Sequence, residues 1–257
     1  MSDLLSLFPP SSYQTGGAGG TMERIYVYDT DINTASNGGA CCLWTVPANA
    51  NYATFEIWGG GSAGPGACCC QHPRQAGGAG AYARKTISVV AGDSYTICAA
   101  GSTCCSPSCC GVEGFPSYVQ TNSNSNGGDA INTCARGGPR SCSGCFSLSS
   151  TCNYIGHTCQ CGCSSFCNAD FGLPAQSGSA RSMWCYRASY QYVPQGPNFG
   201  GGIRPGRDFC TGIASGCYQI NGFASFPGGG GGGAMTSGGG YCWGGHGAGG
   251  LVIVTFR

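Results

Sequence analysis

The sequence predicts an all-β chain: a glycine-rich, β-sandwich-like domain with packed polyglycine segments and a disulfide-stapled, cysteine-rich insert. Three observations carry this. Short apolar runs with two-residue alternation recur from residue 23 to the end, as strands with one buried face require. No stretch sustains the 3.6-residue period of an amphipathic helix, so very little helix is expected. Glycine (49 of 257 residues) and cysteine (22) far exceed ordinary usage. Each glycine raises the entropic cost of ordering the backbone and adds no side chain to a core. Cross-links are the evident compensation, since a bridge closing a loop of about 15 residues contributes roughly 3 kcal/mol.

Residues 1–22 read as an N-terminal docking arm, with a frayed terminus as the alternative. Leu4, Leu5, Leu7 and Phe8 precede Pro9-Pro10, and TGGAGG (15–20) follows as a flexible joint. Residues 23–257 form the glycine-rich β domain, whose N- and C-terminal parts are expected to pair. RIYVYD (24–29) alternates, and CCLWTV (41–46) follows. YATFEIWGGG (52–61) puts Phe55 and Ile57 on one face, Glu56 and Trp58 on the other. AGAYARKTISVVAGDSYTICAAG (79–101) reads as two antiparallel strands joined by a turn at Ala91-Gly92-Asp93. SYVQ (117–120) is a further short strand. GGLVIVTFR (249–257) ends the chain as a strand buried on both faces. The glycine tracts, FPGGGGGG (226–233) above all, are expected to stack as extended three-fold helices that hydrogen-bond sideways.

All 22 cysteines are disulfide candidates, at a density typical of oxidised scaffolds. Cys68, Cys69 and Cys70 are consecutive in a glycine loop beside His72, which reads as a bystander. Neighbouring Cα atoms lie about 3.8 Å apart, below the usual disulfide range of roughly 4.4–6.8 Å, so the three are not expected to pair among themselves. Partners are sought among Cys41, Cys42, Cys104, Cys105, Cys109 and Cys110. Thirteen cysteines fall between Cys98 and Cys167, among them Cys134, Cys142, Cys145 and Cys152. Cross-links rather than a core are expected to fix the insert, around 121–221, which also holds Cys185, Cys210 and Cys217. Cys242 lies in the last glycine tract. An alternative attaches to HTCQCGCSSFC, where His157, Cys159, Cys161, Cys163 and Cys167 resemble a thiolate cluster for zinc or iron–sulfur. Its repeated C-x-C spacing suits one tetrahedral ion less well than paired C-x₂₋₄-C knuckles, so no metal or other cofactor is the primary expectation.

Several function classes find little material. Net charge is +1, and Lys85 is the one lysine among 11 basic residues, so no basic run is present to neutralise several phosphates. No apolar stretch is long enough to insert into a membrane as a helix, and the N-terminus lacks the basic region of a signal peptide. GGSAG (60–64) matches the nucleophile-elbow pattern, but Pro65-Gly66 follows where a helix must begin. DTDIN (29–33) lacks the glycine and glutamate of a calcium loop. The carboxylates are scattered and His72, His157 and His246 lie far apart, so no catalytic residues are assigned and no enzyme is expected. MWCYRASYQY (183–192), read at period two, presents Trp184, Tyr186, Tyr190 and Tyr192 on one face. Such a strip stacks on sugar rings at a receptor surface or packs against another sheet.

LWTVPANANYATFEIWGGG, GGAGAYARKTISVVAGDSYTICAAG and GGGYCWGGHGAGGLVIVTFR, in that order, resemble the glycine-rich domain of bacteriophage tail-fibre and related virion proteins. There an apolar strand ending in Trp-Gly-Gly enters a glycine loop. A GGAGAYA segment leads into the next strand, and a glycine tract precedes a terminal apolar strand. The matching positions are 58–61, 77–83, 92–101 and 238–256, and with their linking strands they cover about half of the chain. Two features are this chain's own: cysteines where the family carries small residues, and the insert. The resemblance implies a non-enzymatic virion structural protein: a tail fibre, fibre tip, or capsid or tail decoration. It further implies a homo-oligomer (trimer favoured) able to bind a host surface glycan or protein. The arm reads as its dock to other virion proteins, and abundant cysteine without a signal peptide reads as synthesis in a host cytoplasm with oxidation after release. A thiolate-cluster metal protein and a secreted disulfide-rich matrix protein are the alternative readings.

Overall fold

The computed structural model describes residues 22–29, 39–66, 77–104, 111–140, 166–174, 224, 226–231 and 244–257, and the backbone of several short strands outside them. The strands are β1 (Glu23–Tyr28), β2 (Ala40–Thr45), β3 (Tyr52–Trp58), β4 (Ala67–Cys68), β5 (Tyr82–Ser88) and β6 (Ser94–Ala99). β7 (Ser117–Ser123), β8 (Asn132–Ala135), β9 (Tyr154–Ile155), β10 (Phe166–Cys167), β11 (Phe171–Leu173) and β12 (Ser179–Met183) follow. β13 (Ala188–Tyr192), β14 (Phe209–Cys210), β15 (Cys217–Tyr218), β16 (Met235–Thr236), β17 (Tyr241–Cys242) and β18 (Leu251–Phe256) complete them.

Two five-stranded antiparallel sheets form the sandwich. The first runs β1-β18-β3-β5-β11 and the second β10-β8-β7-β6-β2. Alternation builds the core between them, as the period of two requires. Phe55, Ile57, Val252 and Val254 of the first sheet meet Trp44, Tyr95, Ile97 and Val119 of the second. The Trp44 ring lies 5.9 Å from Phe55 and 5.4 Å from Phe256. Glu56 and Trp58 face outward, where Trp58 joins Tyr82, Leu251 and Ile253 in a second apolar cluster. β18 lies inside its sheet, between β1 and β3, and is buried on both faces, as its unbroken apolar run predicts. The N- and C-terminal parts pair through β1 and β18, from Glu23 opposite Phe256 to Tyr28 opposite Leu251.

One local expectation changes. β5 and β6 do not pair with each other. β5 bonds to β3 and extends that ladder through Val89 N to Asn51 O (2.9 Å). β6 bonds to β2, extended by Val46 N to Asp93 O (2.8 Å). The turn, with Gly92 at φ +84°, reverses the chain between the two sheets instead of within one. Buried Val89 before it and buried Asp93 after it anchor the exposed turn residues 90–92 to the core. The Asp93 carboxylate accepts from the amides of Asn126 (2.9 Å) and Gly128 (2.8 Å), tying this turn to the one between β7 and β8.

The expected insert, 121–221, supplies structure to both sheets: β8 and β10 complete the second and β11 edges the first. Of its other strands, β9, β12, β13 and β14 form a sheet ordered β14-β13-β12-β9, and β15 pairs with β16. MWCYRASYQY is not one strand. Ser179 to Met183 pairs antiparallel with Tyr192 to Ala188, so the aromatic strip does not run along a single strand. The arm through residue 21 lies outside the described residues.

Candidate functional site, a glycine bundle and its tip

Beyond Trp58 the chain enters GGGSAG (59–64), whose amides show a three-residue rhythm. Gly59 donates to Ala81 O, and Ser62 to Gly78 O. Gly60 donates to Phe115 O and Ala63 to Val112 O; Gly61 donates to Ala248 O and Gly64 to Gly245 O, all at 2.8–2.9 Å. Residues three apart thus address the same neighbour, and each partner steps back by three, so all three neighbours run antiparallel. That is the bonding of an extended helix with three residues per turn, whose amides radiate to different neighbours instead of closing on themselves.

The carbonyls complete the ring. Gly60 O accepts from Gly138 N (2.7 Å), Ser62 O from Gly231 N (2.9 Å), and Gly61 O from the Thr103 hydroxyl (3.0 Å). Six segments therefore surround 59–64. The outer segments bond to one another by the same step: Gly77 to Gly231 O and Gly80 to Gly228 O. Glycine is obligatory at this spacing. A Cβ on Gly61 would fall on the Gly229 carbonyl, and one on Gly138 on the Gly78 carbonyl, both closer than 3.0 Å.

Buried hydroxyls fill the remaining bonds. Ser62 Oγ accepts from Gly78 N (2.6 Å), so the serine at the centre of GGSAG is a structural cross-tie. Ser117 Oγ donates to Trp58 O (2.6 Å) and accepts from Ala100 N (2.9 Å), fastening the bundle base to both sheets.

The strands β3, β5, β6, β7, β8 and β18 all join the bundle at its base. Its opposite end is where the chain leaves after Gly64, Cys104, Arg140 and Gly231 and returns before Gly77, Gly111 and Gly244. The sequences joining these points hold Cys69, Cys70, Cys105, Cys109, Cys110, Cys142, Cys145, Cys152, Cys159, Cys161 and Cys163, which lie outside the described residues. Two of the joining stretches meet: β4 pairs with β17, Tyr241 opposite Cys68 and Cys242 opposite Ala67.

Four cysteines are bridged among the described residues, Cys41 with Cys98 and Cys134 with Cys167. Cys41 is therefore not a partner of the Cys68–Cys70 triplet; β2 holds it opposite Cys98 of β6. Cys167 likewise leaves the thiolate run of 157–167, because β10 sets it opposite Cys134. Cys42 carries a thiol whose pKa burial pushes up, away from the reactive thiolate. Cys185 lies outside the described residues. Cys210 lies on β14 opposite Ala188, and Cys217 on β15 opposite Thr236. Tyr190 and Tyr192 keep a two-residue spacing on β13, while Trp184 and Tyr186 lie outside the described residues.

No family model matches the chain, and no curated protein is similar to it.

Proposed function

We propose that the chain is a non-enzymatic structural protein of a virus particle, a tail fibre, fibre tip or decoration, that holds host-contact surfaces on a rigid body. The observation that carries this reading is the three-residue hydrogen-bond rhythm of 59–64. Many short glycine segments, each unable to order alone, are cross-bonded into one block whose stability does not depend on side-chain burial. Such a block suits a particle component that stays rigid while its joining loops vary. Disulfides across the second sheet support service outside a reducing cytoplasm. The order of strand and glycine motifs supplies the virion assignment, and the arm (1–22) supplies docking to other virion proteins. Assembly into a homotrimer, host contact through surface loops and the tyrosines of β13, and release from the host cytoplasm in particles belong to the same proposal.

Immunogold labelling of purified particles tests it. Label on a distal or peripheral element is expected, and removal of residues 1–22 is expected to abolish incorporation without unfolding the domain. Label absent from every virion overturns the reading.

A further inference from the structure

The outward face of the first sheet has a chemical gradient that the sandwich does not need. One register row crosses all five strands as Tyr28, Leu251, Trp58, Tyr82 and Leu173. The next is Tyr26, Ile253, Glu56, Arg84 and Phe171, and a third carries Arg24, Thr255, Thr54 and Thr86. The four exposed aromatic rings among the described residues all stand on or against this face: Tyr26 (41%), Tyr52 (52%), Phe171 (51%) and Phe226 (42%). Phe171 packs at 6.2 Å on buried Tyr82, and Phe226 at 6.0 Å on partly buried Tyr28, so both rings are braced by a neighbouring ring.

Polar groups lie between the rings. Arg84 is exposed, with Glu56 on one side in register and Phe171 on the other. The Tyr82 hydroxyl donates to Glu56 Oε1 (2.8 Å), and the hydroxyls of Thr54 and Thr86 pair at 2.9 Å. Arg24 and Arg257 are also exposed, at positions of the same outward parity. The face thus combines braced rings, fixed hydroxyls and a surplus of guanidinium over carboxylate.

We propose that this face binds an extended acidic polysaccharide. Sugar rings offer apolar C–H faces to aromatic side chains and hydroxyls to Thr and Glu acceptors and donors. A guanidinium fork selects a planar carboxylate. Tyr26 and Phe171 stand four strand spacings apart, roughly 19 Å, a span that suits a chain rather than a single sugar. This deepens the attachment reading by naming a ligand class. Particle labelling tests that reading, and sugar binding by the isolated protein tests this face, so the two fail separately.

The probes are a long oligogalacturonate and a neutral dextran of matched length, titrated onto the full-length protein. Oligogalacturonate is expected to bind in preference to dextran and to weaken as salt rises. Arg84→Gln and Phe171→Ser are each expected to lower its affinity about tenfold. Leu43→Ser, an exposed position on the second sheet, is expected to leave affinity unchanged. Unchanged melting temperatures establish that the variants fold. Failure to bind either sugar, equal binding of both, or indifference to both variants overturns the proposal. Self-association of the protein that Phe171→Ser abolishes also overturns it, and assigns the face to a second copy.

Discussion

Cys98 of β6 stands opposite Tyr118 of β7, and that pair places both described disulfides in one line. Across the second sheet the row reads Cys41, Cys98, Tyr118, Cys134, Cys167, one residue from each of its five strands. Each bridge ties an edge strand to its inner neighbour. Edge strands have bonding partners on one side only and fray first. The row therefore closes the two places where this sheet would open.

Removing either bridge should cost stability through the unfolded chain. The bridges span 57 and 33 residues in sequence, and loop-closure entropy assigns each about 4 kcal/mol, within a few tenths of one another. Paired serine substitutions, Cys41→Ser with Cys98→Ser and Cys134→Ser with Cys167→Ser, are expected to lower the denaturant midpoint by similar amounts. A loss confined to one pair would mean that the other edge is held by something besides its bridge.

The bundle makes a sharper prediction about glycine. Gly61→Ala and Gly138→Ala both drive a methyl into backbone carbonyls that cannot swing aside. Overpacking of this kind costs about 1–3 kcal/mol and more where only backbone can yield. Gly127 is the contrast: its φ is +101°, but nothing lies within 4 Å of a Cβ there. Gly127→Ala should cost only about 1 kcal/mol, from backbone strain. Chemical denaturation of the three variants checks the order.

These cases show where the sequence was legible. YATFEIW declares its faces, because alternation of Phe55 and Ile57 against Glu56 and Trp58 is written in side chains. Packing of the glycine tracts was readable from composition, but their partners were not, since glycine has no side chain to mark a face. Ala91-Gly92-Asp93 announces a reversal without saying whether the next strand stays in the same sheet; ladders with β3 and β2 decide that, and they are distant in sequence. The same holds for Cys41, whose partner follows from β2–β6 register. The face carrying Tyr26, Arg84 and Phe171 was hidden because its residues come from three separated strands.

Asp93 offers a test of the crossover. Its carboxylate is buried and accepts from two amides, of Asn126 and Gly128. Asp93→Ala leaves the buried Gly128 amide without an acceptor, at about 1–3 kcal/mol, while the exposed Asn126 amide turns to water. Asp93→Asn keeps one acceptor oxygen and should lose roughly half as much. Hydrogen exchange at the amides of 126 and 128 is expected to accelerate in the alanine variant before global unfolding does.

Asp170 sets an acid-side dependence. Hydrogen bonds from Lys85 and from the Thr86 amide hold its carboxyl below the usual carboxylate range. A depressed folded pKa contributes stability above the unfolded value, near 4, and loses it as pH falls through the folded value. The pair is exposed, so the contribution is less than about 1 kcal/mol. Asp170→Asn should flatten the stability profile below about pH 4 and lower the neutral plateau by that same small amount in urea titrations.

Tyr82 sets the opposite limb. Burial first, then its hydrogen bond to Glu56, push its phenol well above the usual tyrosine value. A raised folded pKa contributes stability that is complete below the unfolded value, near 10, and is lost as pH rises through the folded one. Tyr82→Phe keeps the ring against Trp58, 4.9 Å away, and removes the ionisable oxygen. The variant should be less stable by about 1–2 kcal/mol at neutral pH, for the lost bond to a carboxylate. Its stability should then fall less steeply above pH 10 than that of the parent. Equal alkaline slopes in the two proteins would show that Tyr82 ionises as readily folded as unfolded, and would remove the Glu56 bond from the account of this face.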